Sequence, residues 1–116
     1  MLPPYPSSAA IEAAVARTVT GASLRGIAIH RVEYIAPSEI WCKTLAIVVF
    51  YETDDERQRR AQDETGTWFR AEFEEQLRAS ENALPFERMP DEITYEFDSH
   101  ENVLRNYEGS YFLRLR

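Results

Sequence analysis

KTLAIVVFYE, residues 43–52, is the segment of this chain that is apolar on both of its alternating faces. Leu45, Ile47, Val49 and Tyr51 fall on one side of an extended chain, Ala46, Val48 and Phe50 on the other, and charge closes the run at both ends. A run this rich in β-branched and aromatic side chains, about ten residues long, is too short to span a bilayer as a helix. It reads as the central strand of a sheet that must be covered on two sides. The rest of the sequence has to supply that cover.

Immediately upstream, LRGIAIHRVEYI (24–35) alternates, with Ala28, His30, Val32 and Tyr34 on one face and Ile27, Ile29, Arg31, Glu33 and Ile35 on the other. The connection APSEI (36–40) has the length of a hairpin loop, so these two strands are expected to be antiparallel neighbours. Further back, Pro3, Pro4 and Pro6 bar residues 1–7 from a helix interior or a central strand and leave an extended arm, loose or laid over the surface. Ser7 or Ser8 then caps a helix whose stripe is Ile11, Ala14, Val15 and Val19, with Gly21 as its stop.

Downstream, Thr53 with Glu56 forms a capping box, and Asp54 and Asp55 suit the positive end of a helix. From Asp54 to Thr65 the one apolar residue is Ala61, so this charged portion has nothing to bury. The apolar stripe starts at Trp68 and Phe69 and continues through Phe73 and Leu77 toward Leu84. A single helix over 54–82 would be about 43 Å long against about 33 Å for a ten-residue strand. Either the charged third projects, or Thr65-Gly66-Thr67 breaks the helix in two. Pro85 and Pro90 bracket a loop, and ITYEF (93–97) gives a third strand with Ile93, Tyr95 and Phe97 inward. Asp98-Ser99-His100-Glu101 is a second capping pattern, followed by Val103, Leu104 and Tyr107 and a stop at Gly109. SYFLRLR (110–116) alternates as a fourth strand, Tyr111, Leu113 and Leu115 on one side.

The order α-β-β-α-β-short α-β predicts one α+β domain over 1–116: a two-layer sandwich with a four-stranded, mostly antiparallel sheet and helices mainly on one face. At 116 residues one core suffices.

The formal charge of -7 excludes nucleic acid as a natural partner, because that binding relies on Lys and Arg neutralising phosphates. Twelve of the thirteen basic residues are arginine, the side chain suited to forked pairing with carboxylates. Cys42 is the single cysteine, which excludes an internal disulfide and a cysteine-based zinc cluster and fits a reducing compartment. With neither a basic and apolar leader nor a long apolar segment, the expected location is the cytoplasm, with no membrane partner.

The turn Asp98, His100, Glu101 is the candidate catalytic site, since a strand opening a helix gathers polar side chains and free N–H groups about one point. The bland alternative is that Ser99 or Asp98 caps the helix, Glu101 closes the box and His100 faces solvent. A Cys42–His30 nucleophile is disfavoured: a turn around 37–40 sets Cys42 opposite 34 or 35 and His30 opposite 46 or 47, about 13 Å apart along the strands. His30 with His100 stays geometrically open. Glycines 21, 26, 66 and 109 are scattered without a phosphate-cradling loop, and no metal motif occurs, so no cofactor and no metal are expected. Arg57, Arg59 and Arg60 are flanked by acids and read as salt-bridged. If the outward sheet face is bare, Phe50 and Phe112 join an apolar patch that a second subunit would cover.

The expected function is therefore a non-enzymatic protein-binding or regulatory module, acting as a homodimer through a sheet face and meeting a protein partner at helix 54–65. The alternatives are a small hydrolase-like enzyme using Asp98, His100 and Glu101, and an acidic inhibitor or immunity-type partner of a basic protein.

Overall fold

In the computed structural model the described residues are 2–36, 42–79 and 86–116. The expected hairpin loop at 37–40, Trp41, Leu84 and Pro85 lie outside them. The elements are α1 (Ser8–Leu24), β1 (Arg31–Ile35), β2 (Thr44–Tyr51), α2 (Asp54–Gln62), α3 (Thr65–Ala79), β3 (Glu92–Ser99), α4 (His100–Asn106) and α5 (Tyr111–Arg114).

The sheet has three strands among the described residues, in the order β1-β2-β3, so KTLAIVVFYE supplies its middle. β1 runs antiparallel to β2 from Arg31 opposite Phe50 to Ile35 opposite Ala46. β3 runs parallel to β2, from Glu92 beside Thr44 to Ser99 beside Tyr51. The sheet is thus mixed rather than mostly antiparallel. The hairpin register also differs from expectation: its last pair encloses residues 36–45, longer than a tight loop, which moves His30 up to the Phe50 end of the ladder, where its N–H donates to the Phe50 carbonyl at 2.8 Å.

The two faces of β2 are covered by different helices. Leu45, Ile47, Val49 and Tyr51 join Ile11 and Ala14 of α1 and Phe69, Phe73 and Leu77 of α3 in the main core. Val48 and Phe50 join Val103 of α4, with Tyr107, Tyr111 and Leu115 packed around them. Helices therefore lie on both faces, and Phe50 is fully buried within one chain.

The fourth strand is replaced by α5. Ser110 caps it, its Oγ accepting from the Leu113 N–H at 3.1 Å, and the Leu115 N–H donates to the Tyr111 carbonyl at 3.0 Å. Tyr111 and Leu115 are four residues apart, a spacing that shares a face both in a strand and in a helical turn. The helix is revealed by Leu113, which a strand would place beside them and which is 42% exposed. Between α4 and α5 the backbone turns through positive φ at Glu108 (54°) and Gly109 (79°), and Gly109 adopts that value without steric cost.

Residues 54–79 form two helices. The break falls at Asp63, which is extended (φ -102°, ψ -171°), and Asp63 Oδ1 accepts from the Thr65 N–H at 2.8 Å. Thr65-Gly66-Thr67 therefore opens α3 instead of breaking a longer helix, and the burial stripe of α3 is Thr65, Phe69, Phe73 and Leu77. α1 likewise passes through Gly21 and stops beyond Leu24, at Gly26 (φ 78°). The proline arm is laid over the surface: the carbonyls of Pro3, Pro4 and Pro6 accept from the N–H groups of Glu87, Arg88 and Cys42 at 2.8, 3.1 and 2.8 Å.

Candidate functional site

β3 ends at Ser99 where α4 begins, and Ser99 rather than Asp98 is the cap, its Oγ accepting from the Asn102 N–H at 2.9 Å. The three side chains of the sequence-derived site then part company. Asp98 is buried and accepts from the Ser99 N–H (2.8 Å), from Asn102 Nδ2 (3.0 and 3.1 Å) and from Arg114 Nε (2.5 Å). Glu101 reaches sideways to α2, where its Oε1 accepts from the Asp54 N–H at 3.0 Å. His100 turns to the other side of α4, where its Nδ1 lies 2.7 Å from the Tyr111 hydroxyl. The three share no hydrogen-bond partner.

His100 meets His30. The rings stack with centroids 4.1 Å apart at 26°, and the Tyr111 ring lies nearly parallel to that of His100 with centroids 5.8 Å apart at 11°. His30 Nδ1 lies 2.6 Å from Glu52 Oε2, and the Arg31 guanidinium sits 4.1 Å above the Tyr111 ring. Burial raises the Tyr111 hydroxyl pKa above its ordinary value, so this phenol stays neutral. Each imidazole thus has its Nδ1 engaged by a neighbouring side chain. Glu52 and Tyr111 had no sequence signal: Glu52 read as the charged end of a strand and Tyr111 as a member of another. Cys42 stands apart from this cluster, buried, with its thiol pKa pushed up by burial.

Polar ties cross from α4 to α2. Ser99 Oγ donates to Asp54 Oδ1 at 2.5 Å and Arg105 donates to Asp54 Oδ2 at 2.8 Å, holding the Asp54 carboxyl below its ordinary pKa. α2 buries no residue. It is held by these ties, by Thr53 accepting from the Glu56 N–H at 3.1 Å, and by ion pairs of Glu56 with Arg59 and Arg60 and of Arg60 with Asp63. Of the arginine cluster, Arg59 and Arg60 are salt-bridged as expected, whereas Arg57 has no carboxylate within 4.0 Å among the described residues.

Clefts among the described residues open around α2 and at the opposite end of the sheet, and none of these is lined by His30 or His100. One of about 280 Å³ opens between α2 and the start of α3 over Tyr51 and Phe97. A shallower one of about 360 Å³ lies between α2 and α4 and shares Arg57 and Phe97 with it. Among the described residues no three His, Cys, Asp or Glu side chains stand close enough to hold a metal ion, and no helix is long and apolar enough to cross a membrane.

These features define the chain by architecture, as an α+β domain with a three-stranded mixed sheet and five helices among the described residues. No protein-family model, curated protein or solved structure matches it significantly.

Proposed function

We propose that the protein is a non-enzymatic binding module whose contact surface is the outward face of α2. The observation that carries this reading is a nine-residue helix that has no fully buried residue yet is tied to the body at its first residue, Asp54. An isolated helix of that length is marginal in water, so the polar ties serve to present it. Asp55, Gln58 and Arg59 are exposed on it and offer a charged, hydrogen-bonding ridge to a protein partner. The test replaces these three by alanine. Pull-down with the unaltered chain is expected to recover a partner that the triple variant loses, while the thermal midpoint stays within a few degrees. A variant that unfolds, or one that retains the partner, removes the proposal.

A second reading, a small hydrolase-like enzyme, is favoured by the meeting of His30 and His100 beside Tyr111 and Glu52. Turnover of activated esters or phosphate esters that disappears in both His100→Ala and His30→Ala would support it, and equal rates in the variants would end it. For a homodimer through the sheet, the support is narrowed to the strip left open beside α4 and α5, where Ile35, Ala36, Ala46 and Thr94 line a shallow hollow. Light scattering in line with size exclusion decides this, a monomer at 100 µM (roughly, at the weak end of specific association) removing it.

A further inference from the structure

The cleft between α2 and α3 has the chemistry of a small-anion site. It lies outside the carboxyl ends of the parallel pair β2 and β3, a place where open sheets with parallel strands bind ligands. Tyr51 and Phe97 form its apolar floor, and Arg57, Arg60 and Arg70 reach it from α2 and α3. The one carboxylate in the wall, Asp63, is already occupied by the Thr65 N–H and by Arg60. Arg60 in turn is neutralised by Glu56 and Asp63. Arg57 and Arg70 remain, neither with a carboxylate within 4.0 Å among the described residues.

Arg70 is held by aromatic faces instead, its guanidinium 5.5 Å from the Tyr95 ring centre and 6.0 Å from that of Phe97. Those contacts are within cation–π range and leave its N–H fork without a carboxylate partner. In a chain of formal charge -7, two guanidiniums without a contacting carboxylate on one cleft give an anion its local attraction. Two forked cations over an aromatic floor match a compact group carrying two negative charges with a flat apolar substituent. The volume of about 280 Å³ admits a small molecule.

We propose that this cleft binds a small organic dianion of the phosphomonoester class, its phosphate between Arg57 and Arg70 and its organic group on Phe97 and Tyr51. This site is on the inner flank of α2 and is independent of the outward ridge proposed above. The test is an NMR titration of the full chain with phenyl phosphate, with inorganic phosphate, succinate and phenol as comparison probes. Saturable shifts are expected at Arg57, Arg70 and Phe97 with phenyl phosphate, affinity at least fivefold weaker for inorganic phosphate and for succinate, and no saturation with phenol. Arg57→Gln and Arg70→Gln are each expected to weaken binding about tenfold, and Arg70→Lys nearly as much, because a lysine keeps the charge and loses the fork. Arg88→Gln, at an exposed arginine paired with Asp91 outside the cleft, leaves affinity unchanged. Affinity falls below about pH 6, where the phosphate loses its second charge. No saturation by phenyl phosphate, unaltered binding in either glutamine variant that retains its thermal midpoint, or succinate binding as tightly as phenyl phosphate each overturns the assignment.

Discussion

Asp98 and Arg114 are both largely withdrawn from water, with side-chain exposures of 11% and 15%, and their contact at 2.5 Å ties the last helix to the end of β3. Removing one partner leaves the other charge poorly solvated, so Asp98→Ala is expected to cost about 3 kcal/mol in urea unfolding. The paired change Asp98→Leu with Arg114→Met should cost less than either single change; a single-variant cost near zero would show that Asp98 is dispensable to the fold. Tyr51 gives a second residue-scale expectation. Burial pushes its hydroxyl from 10.0 up to about 12, so the fold favours the neutral phenol. That contribution is fully present below pH 10.0 and is lost as pH rises through about 12. Tyr51→Phe should therefore keep more of its own stability across that interval than the unaltered chain does, as followed by denaturant midpoints at each pH. The site residues at this scale were half legible: Asp98, His100 and Glu101 announced a polar turn, but where each side chain goes depends on Arg114, Tyr111 and Asp54, which are distant in sequence.

Among the elements, α2 and α5 are the two whose presence depends on what they touch. Asp54 anchors α2, and with hydrogen bonds from Ser99 and Arg105 its carboxyl is held below the ordinary 3.8. The contribution of a depressed carboxyl is present above 3.8 and lost as pH falls through the lowered value. On acidification the amides of α2 should lose protection from exchange before those of β2, and simultaneous loss would show that α2 is not a separable unit. α5 matters for a different reason. It closes over Phe50, whose ring meets Tyr111 edge-on at 4.8 Å. Deleting 111–116 should expose Phe50 and Val48, raise binding of a hydrophobic dye and lower the urea midpoint. Phe50→Ala should cost about 4 kcal/mol, since it removes a fully buried aromatic ring. Unchanged dye binding on truncation would mean that α4 alone covers this face.

For the molecule as a whole, stability resides in the apolar core about β2, and most ion pairs are decoration of an exposed surface. A pair such as Arg59 with Asp55 is more than half-exposed on both sides and contributes about 0–1 kcal/mol. Raising sodium chloride to roughly 1 M, where screening is nearly complete, should therefore leave the unfolding free energy almost unchanged, and a large loss would assign the fold to its charges. The sequence by itself determined the central place of KTLAIVVFYE, the need for cover on both of its faces, and the starts of α1, α2 and α4, because side-chain periodicity and caps act over one turn or one strand. Tertiary structure alone decided that the tail is helical, that β3 lies parallel to β2, and that His30 meets His100. Those outcomes turn on alternatives that are locally equal, such as a four-residue spacing that serves strand and helix alike, and the choice between them falls to contacts with residues far along the chain.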